Sequence, residues 1–448
     1  MQAHSSTNTI ILGAGVSGLT AAFALSQHSR EDCAIYEQAS AVGGLCRSIE
    51  RNGFRLEMVT HVLHFRSDQA QELVQTLLDG NLLQIERSAW VYFAGRYVPY
   101  PFQTHLGFLP LLEKVSCMAN FWSPWIRNKF NGARDCQNFE DWIHEHFGSG
   151  IGRHFMVPYN TKLWGIAPRD MSTDWVKRFV PRSSLRGVMA GFLLRRSREV
   201  GYNAYFFYPK SSGMQALIDA LEASVPRVLV NKQAVRIDLQ NKTVSFQDGE
   251  VVHYNRLIST IPLRTLILQA SDVPDELRLA AEKLRSTSLL NVTFCLRRPL
   301  PHSYHWVYFP EPQFPFFRLV FPSNISPSLA PENCSIISAE ISNPDTERRA
   351  ELEERVRGLL VELGYLERPS EVVLTESTYL DDAYPVHDLA REIRVAKLLE
   401  FLKSRDVWSI GRFGAWRYSS IDDAIVEALQ AVGQICQPSL QPLAKTSV

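Results

Sequence analysis

The chain has 448 residues, and 45% of them are hydrophobic, which is enough for two or three domains that each bury a core. Its 47 basic residues are balanced by 47 acidic ones, so no excess of positive charge attracts nucleic acid or an anionic membrane surface. Recruitment of either by charge alone is therefore excluded, and we expect a small-molecule partner.

Seven cysteines occur without a CxxC pair, and an odd number cannot all pair internally. We therefore expect reduced thiols and a cytoplasmic protein. The first eight residues lack the pattern of an export signal, and Glu113 and Lys114 interrupt the longest apolar region, residues 107–122. The sequence predicts no membrane span and no metal site.

The first motif is a strand, a tight turn and a helix. Residues 9–12 form an apolar run, Gly13, Gly15 and Gly18 follow in a GxGxxG pattern, and a helix-forming stretch begins at Leu19. Gly13 permits the turn, Gly15 lets a pyrophosphate approach the backbone, and Gly18 lets the helix pack against the strand. The positive end of the helix would then face the phosphates.

A carboxylate stands where such a site needs one. A second short strand, residues 33–36, ends at Glu37, about 20 residues past the glycines, where it would accept hydrogen bonds from a ribose. A GxGxxG pattern alone also occurs in structural glycine turns, but the strand, helix and acidic residue together favour a dinucleotide site.

A second glycine turn, residues 42–48, contains Gly43, Gly44 and Leu45. The arrangement resembles the glutathione-reductase-like FAD superfamily, which includes amine oxidases, desaturases and sugar mutases. In that superfamily the second turn runs beside the FAD pyrophosphate, so the resemblance implies FAD rather than NAD.

Two later segments fit the same layout. Residues 227–238 are predicted to form a strand that could lay Val235 against the adenine. Residues 242–262 are predicted to form a hairpin that turns at Asp248 and Gly249.

Further segments, in the same order along nearly the whole chain, resemble the UDP-galactopyranose mutase family. The first is similar to the family's histidine loop beside the flavin ring, which makes His61 a candidate catalytic residue. Val59 and Thr60 stand where the family usually has Gly-Pro. The alternative is a histidine that is merely hydrogen-bonded within a loop.

A second segment carries Phe155, Tyr159 and Trp164. In the family, an aromatic pair with this spacing sandwiches or borders the uracil, and the tryptophan lies beside the sugar. Arg178 matches the family's arginine that grips the diphosphate, a task that suits a planar, permanently charged guanidinium. The alternatives are an aromatic helix face against a core and an exposed, solubilising arginine.

A third segment, residues 305–327, is similar to the eukaryotic branch of the mutases. Arg318 within it matches the family's second diphosphate arginine. Two cations from different segments would neutralise the two phosphates and help UDP to leave.

A fourth segment lies near the end of the chain. Gly411 and Arg412 follow a short strand and Asp422 opens a helix, which resembles the closing flavin contact of the superfamily. Tyr384 and Tyr418 match family tyrosines that hydrogen-bond the diphosphate, although either could be an ordinary half-buried aromatic residue. Ser420 stands where the family has an acid.

The predicted fold class is α/β, with an FAD-binding Rossmann-like domain, an inserted helical domain and an antiparallel sheet domain. We expect a discontinuous FAD-binding domain at residues 1–70, 205–262 and 385–448. The helical domain with the substrate pocket and lid would span residues 85–200, and the sheet domain residues 263–384. The arginine-rich stretch 183–202 has no assigned role.

The resemblance implies a mutase that interconverts the pyranose and furanose forms of a UDP-sugar, as in cell-surface polysaccharide biosynthesis. Reduced FAD would attack the anomeric carbon through N5, and NAD(P)H or another reductant would serve only for activation. An FAD-dependent oxidoreductase of the amine oxidase or desaturase type explains the glycines and Glu37 equally well. A flavin-bearing scaffold without turnover is a third alternative, and both the sugar and the oligomeric state stay open.

Overall fold

The structure is a computed structural model that describes residues 6–28, 33–131, 134–179, 191–192 and 204–436. The side chain of Arg178 and nearly all of the stretch 183–202 lie outside the described residues.

The strands, in chain order, are β1 (Ser6–Leu12), β2 (Cys33–Tyr36), β3 (Ser48–Arg51), β4 (Phe54–Glu57), β5 (Leu83–Glu86), β6 (Ala89–Phe93), β7 (Arg96–Pro99), β8 (Tyr205–Tyr208), β9 (Val228–Leu229), β10 (Ala234–Asp238), β11 (Thr243–Phe246), β12 (Val251–Ser259), β13 (Ser286–Leu296), β14 (Trp306–Tyr308), β15 (Arg318–Val320), β16 (Ser335–Ser342), β17 (Val372–Pro385) and β18 (Val407–Ser409).

The α-helices are α1 (Val16–His28), α2 (Asp68–Leu78), α3 (Leu111–Asn131), α4 (Phe139–Ile151), α5 (Val157–Trp164), α6 (Val176–Phe179), α7 (Gln215–Ala223), α8 (Leu263–Gln269), α9 (Asp275–Glu282), α10 (Pro322–Ile325), α11 (Arg349–Glu362), α12 (Arg391–Lys403), α13 (Gly411–Gly414) and α14 (Ile421–Cys436). None of the helices described here combines the length and the apolar character needed to cross a bilayer.

The first sheet has the strand order β10-β11-β12-β1-β2-β9, with β18 beside β12. Strand β1 is parallel to both β12 and β2, as in doubly wound folds. Its side chains alternate between two cores: Ile11 joins the cluster that contains α1 and α14, whereas Ile10 and Leu12 join the cluster on the other face. Apolar layers therefore cover β1 on both sides, which explains its uninterrupted apolar run.

The predicted hairpin is confirmed, because β11 and β12 pair antiparallel around a turn in which Gly249 has a φ of +88°. The prediction of one strand over residues 227–238 is wrong in part. The chain forms two strands there, β9 and β10, and turns between them at Asn231, which has a φ of +56°.

The second sheet has the order β17-β13-β16-β15-β14-β6-β7, and only the β14–β6 pair is parallel within it. Its strands β6 and β7 fall in the region 85–200 that was predicted to be mainly helical, so that prediction is wrong for residues 89–99. The sequence did contain the signal: Ala89, Val91 and Phe93 are buried in alternation with half-buried aromatic residues, and a two-residue turn at Ala94 and Gly95 follows.

The helices α3 and α4 pack at close range beside this sheet. A Cβ atom on Gly148 would lie 2.3 Å from the carbonyl oxygen of Asn120, and one on Gly150 would lie 2.7 Å from the Cα atom of Cys117. Only glycine permits this approach. It sets the position of α5, which continues the chain from α4 and carries Tyr159 and Trp164.

A buried carboxyl group, that of Glu57, lies in the core between β4 and β8. The hydroxyl of Tyr208 and the backbone N–H of Met214 both donate to Oε1 of Glu57, at 2.6 and 3.2 Å. Oε2 of Glu57 is buried and has no hydrogen-bond partner among the described residues. Burial raises the pKa of Glu57 from 4.5 to about 7, against the opposing effect of the two hydrogen bonds.

We predict that Glu57→Gln changes how stability depends on pH. Between pH 4.5 and about 7 the folded wild type holds the Glu57 proton more tightly than the unfolded chain does, so its stability falls as the pH rises through this window. Glutamine carries no charge at any pH. We therefore compare the free energy of unfolding of the variant with that of the wild type, both measured by denaturant titration. As the pH is raised from 5 to 8, this difference should shift by ~2 to 3 kcal/mol in favour of the variant.

The control is Glu400→Gln, which alters an exposed glutamate on α12 and should follow the wild-type pH profile. Parallel profiles for the wild type and Glu57→Gln would contradict the prediction.

Candidate functional site

A cavity of about 530 Å³ opens where the turn after β1, the second glycine turn and the α13–α14 region meet. The two glycine turns are joined by a hydrogen bond of 2.8 Å from the N–H of Gly43 to the carbonyl oxygen of Ala14. A Cβ atom on Gly44 would lie only 3.3 Å from the Cα atom of Gly15. The two backbones therefore form one continuous wall, and side chains larger than hydrogen would intrude on it.

Glu37 stands at the carboxyl end of β2 and faces this cavity. Its Oε2 accepts a hydrogen bond from the N–H of Ala14, and its Oε1 accepts one from the N–H of Ala39, both at 2.8 Å. The carboxylate is thus held in one orientation, with lone pairs left to accept from a ligand hydroxyl.

Most residues predicted to contact the cofactor line this cavity: Gly13, Gly15, Glu37, Gly43, Gly44, Leu45, Gly411 and Arg412. Gly18 does not, because it packs against the turn. A Cβ atom there would lie 2.0 Å from the carbonyl oxygen of Gly13.

Val235 and Asp422, which were also predicted to contact the cofactor, do not line the cavity. The register of the β10–β11 pair shifts between Ala234 and Arg236, and there Ala234 lines the cavity while Val235 is 42% exposed outside it. The carboxylate of Asp422 faces the backbone N–H groups of Arg66 and Ser67, at 3.4 and 3.3 Å.

A second cavity, of about 320 Å³, continues from the first. The residues that line both cavities define their junction: Leu45, His61, Leu380, Arg412, Ser419, Ser420 and Ile421. The residues predicted to contact the substrate that line the second cavity are Phe155, Tyr159, Trp164, Arg318, Tyr384 and Tyr418. Arg178 belongs to α6, beyond Trp175 of the cavity wall, but its side chain lies outside the described residues.

His61 at the junction is neutral. Burial, together with the nearby charges of Arg412 and Arg318, lowers its pKa to about 3, despite the opposing effect of a hydrogen bond to Val59. Nδ1 lies 2.9 Å from the carbonyl oxygen of Val59, which can only accept. Nδ1 therefore carries the proton, and Nε2 is left as an acceptor.

Aromatic side chains form one wall of the second cavity. Phe155 and Tyr159 are stacked, with ring centroids 5.5 Å apart at 20°. This spacing leaves no room for a base between the two rings, because two stacking contacts need about 7 Å. Phe155 is buried against Phe102, so Tyr159 offers the accessible ring.

Arg318 is held by a buried carboxylate. Its Nε and Nη2 donate to the two oxygens of Glu340, both at 2.8 Å, and the two residues are cross-strand partners on β15 and β16. This pairing occupies one edge of the guanidinium and leaves Nη1 outside it.

Lys162 connects α5, which carries Tyr159 of the aromatic wall, to the loop before Arg318. Its Nζ donates to the carbonyl oxygens of Phe309, Glu311 and Phe314, at 2.8, 2.6 and 2.9 Å. The loop that leads to Arg318 is thereby fixed to α5.

The sequence reasoning missed several residues of the second cavity, namely Arg66, Arg87, Tyr100, Gln103, Asn160 and Tyr308. The ring of Tyr100 lies 5.0 Å from the guanidinium of Arg87. Asn160 and Tyr308 lie within segments that resemble the mutase family but had no role assigned, and no periodic pattern or motif marks the other four positions.

The site has the features that a dinucleotide needs. Backbone N–H groups at the start of α1 and a wall of glycines without Cβ atoms suit a pyrophosphate, and the fixed carboxylate suits a ribose. The fold and this site define a flavin-dependent enzyme of the FAD-binding α/β class. The chain belongs to the family of flavin containing amine oxidoreductases, whose model matches residues 16–390.

Among solved structures, the chain is similar to a reduced UDP-galactopyranose mutase, with 29% identity over 97% of this chain and 94% of that one and a TM-score of 0.89. A proposed protoporphyrinogen oxidase from an Exiguobacterium species is 17% identical over 97% of this chain and 100% of that one, with a TM-score of 0.76. A putrescine oxidase with bound putrescine is 17% identical over 96% and 99% of the two chains, with a TM-score of 0.65. The last two likenesses show the fold alone, and the predicted fold class is confirmed.

We predict that Gly15→Ala weakens flavin binding without unfolding the protein. The nearest heavy atom to a Cβ at this position is the Cα of Gly44 at 3.9 Å, an ordinary contact, so the chain itself tolerates alanine. The methyl group would instead project into the wall of the cavity. We expect the dissociation constant for FAD to rise by about tenfold or more, or ~1.4 kcal/mol, measured by titration of the flavin-free protein.

Gly358→Ala on α11 is the matched control, since a Cβ there meets nothing within 4 Å. It should leave flavin affinity unchanged. Unaltered FAD affinity in Gly15→Ala would remove this turn from the flavin site.

Proposed function

We propose that this protein is an FAD-dependent mutase that interconverts the pyranose and furanose forms of a UDP-linked sugar similar to UDP-galactopyranose. The charge of the second cavity carries the proposal. Four arginines line it, and the described lining contains no aspartate or glutamate; the arginines are Arg66, Arg87, Arg318 and Arg412. Such a field favours a diphosphate and disfavours a protonated amine.

The aromatic wall supports a nucleotide as the source of that diphosphate. Tyr159 presents one ring face towards the cavity, and a uracil could stack on it. Trp164, Tyr384 and Tyr418 surround the adjoining space, where the hydroxyls of the two tyrosines are able to donate hydrogen bonds.

Arg318 is the residue best placed to hold a phosphate. Because Glu340 fixes Nε and Nη2, the remaining edge of the guanidinium is oriented before a ligand arrives. Glu340 also offsets part of the charge, so the stabilisation of a departing diphosphate would be shared with Arg412, whose Nη2 donates to the carbonyl oxygen of Ser419 at 2.6 Å. Arg178 is proposed as a further cation from α6.

Reduced FAD, when bound, supplies a nucleophile for the anomeric carbon. In this proposal the residues of the first cavity hold the cofactor, and His61 offers the Nε2 lone pair at the junction as an acceptor. His61 is not an acid near neutral pH, since its pKa is about 3. A reductant such as NAD(P)H is needed for activation and is not consumed with each turnover.

An FAD-dependent oxidoreductase is the second candidate, and membership of the amine oxidoreductase family favours it. The two candidates differ in redox stoichiometry. An oxidoreductase converts one equivalent of oxidant or reductant per product, whereas the mutase converts none.

The test is to reduce the purified holoenzyme with dithionite under anaerobic conditions, add UDP-galactopyranose and separate the products by chromatography. We expect the furanose form only with reduced flavin. If no conversion occurs and UDP does not perturb the flavin spectrum, the uridine site is wrong and the oxidoreductase becomes the leading candidate.

We predict that Arg318→Lys raises KM for the UDP-sugar by about tenfold, or ~1.4 kcal/mol, because an ammonium cannot present the planar fork that Glu340 orients. Steady-state kinetics with reduced enzyme measure this change.

Arg298→Lys is the matched control, since Arg298 also pairs with a glutamate, Glu371, but does not line either cavity. It should retain the wild-type KM. Equal KM values for all three proteins would remove Arg318 from the diphosphate site.

A further inference from the structure

A buried histidine behind the cavity wall joins two segments of that wall. His387 lies just after β17, and its side chain is only 3% exposed. Its Nδ1 lies 3.2 and 3.3 Å from the two carboxylate oxygens of Asp174, and its Nε2 lies 3.0 Å from the backbone nitrogen of Tyr418. His387 itself does not line either cavity.

The donors and acceptors define one tautomer. The N–H of Tyr418 can only donate, so Nε2 of His387 must carry the lone pair. Nδ1 therefore carries the proton and donates it to Asp174. A neutral ring satisfies both contacts. A second proton, on Nε2, would face the N–H of Tyr418, and the hydrogen bond between them would be lost.

Burial and the neighbouring Arg391 favour the neutral form of the ring. Burial lowers the pKa of His387, Arg391 lowers it further, and Asp174 and Asp388 oppose this effect. Arg391 also binds Asp174, at 3.5 Å between Nη1 and Oδ2, so the carboxylate is shared between a cation and the imidazole. Arg417 and Glu392 lie near Arg391 on the same side.

One partner of His387, Tyr418, lines the second cavity, and the other, Asp174, is adjacent in sequence to a residue that does. Asp174 precedes Trp175, which lines the second cavity, and stands two residues before α6, the helix that carries Arg178. The ring of Tyr418 lies 4.4 Å from that of Phe179 on α6 and 5.5 Å from that of Trp164.

The segment that carries Tyr418 has a second restraint. Nε of Arg391 donates to the carbonyl oxygen of Trp416 at 2.8 Å. Trp416 has a φ of +47°, which is uncommon for a residue with a large side chain and persists only where neighbours enforce it. Arg391 and His387 therefore fix the backbone on both sides of Arg417.

We propose that His387 is a positioning residue, which sets the orientation of Tyr418 in the second cavity and ties it to the base of α6 through Asp174. The part of this inference that concerns substrate rests on the proposed function. The part that concerns Tyr418 does not, because it follows from the hydrogen bond to its backbone.

The first test is amide hydrogen exchange of the holoenzyme, followed by mass spectrometry, on a peptide that covers residues 415–420. His387→Ala removes the acceptor of the Tyr418 N–H, and we expect exchange in this peptide to be at least about tenfold faster. His302→Ala is the matched control, since the half-buried His302 also accepts a backbone N–H, that of Tyr304, at 3.2 Å but lies outside both cavities. It should leave the 415–420 peptide unchanged.

The second test uses Asp174→Asn, which keeps the shape of the side chain but can donate to Nδ1 and so permit the wrong tautomer. With UDP-galactopyranose and reduced enzyme, we expect KM to rise about tenfold while the flavin spectrum and the melting temperature stay near those of wild type. His302→Ala should lose stability without this change in KM.

The outcomes are separable. Wild-type exchange in the 415–420 peptide of His387→Ala overturns the inference, whatever the enzyme's activity. Faster exchange with an unchanged KM in Asp174→Asn overturns the link to substrate. A wild-type enzyme that neither binds UDP nor converts the sugar overturns the proposed function, and the exchange result alone then decides whether His387 orients Tyr418.

Discussion

The close approach of two glycine turns is the constraint on which the rest of the site depends. Gly15 and Gly44 face each other so closely that a Cβ atom on Gly44 would lie 3.3 Å from the Cα atom of Gly15, and the backbone bond from Gly43 to Ala14 fixes their relative position. The same approach brings the start of α1 to the cavity. A third glycine completes the arrangement, because a Cβ on Gly411 would lie 2.5 Å from Oγ of Ser17 in α1.

Charge is the second organising feature. The arginines of the second cavity are held by different means: Arg318 by the buried Glu340, Arg412 by the carbonyl oxygen of Ser419, and Arg87 over the ring of Tyr100. Glu340 carries a full opposite charge, and so does Asp423, whose Oδ2 lies 3.8 Å from Nη2 of Arg66. An anionic ligand would therefore meet cations that are already oriented and only partly neutralised, which is how a protein lowers the cost of binding a diphosphate.

The sequence identified those site residues that belong to short local motifs. All the predicted glycines except Gly18 line the cavities, as do Glu37, the aromatic residues of α5 and Arg318, because each was marked by short spacings within one or two elements. Val235 and Asp422 do not line the cavity, because the face that a side chain takes depends on strand register and on the helix that it packs against, and their contacts with the cofactor stay predictions. His387 and Arg87 had no local signal, since Asp174 lies 213 residues from His387 along the chain and Arg87 contacts the ring of Tyr100 beyond the β6–β7 hairpin.

The two departures from the mutase pattern have physical explanations in the backbone. His61 needs only a carbonyl oxygen to fix its tautomer, and Val59 supplies one as well as a glycine would. Ser420 begins α14: its Oγ accepts from the N–H of Asp423 at 3.2 Å, and its own N–H donates to Oδ2 of Asp423 at 2.8 Å, which is a reciprocal helix cap. A hydroxyl in place of an acid at this junction adds no further carboxylate to those of Glu340 and Asp423, which already lie beside Arg318 and Arg66. The departures thus preserve the cationic character of the cavity, and differences in sugar preference should arise from the side chains of Thr60 and Ser420 that face it.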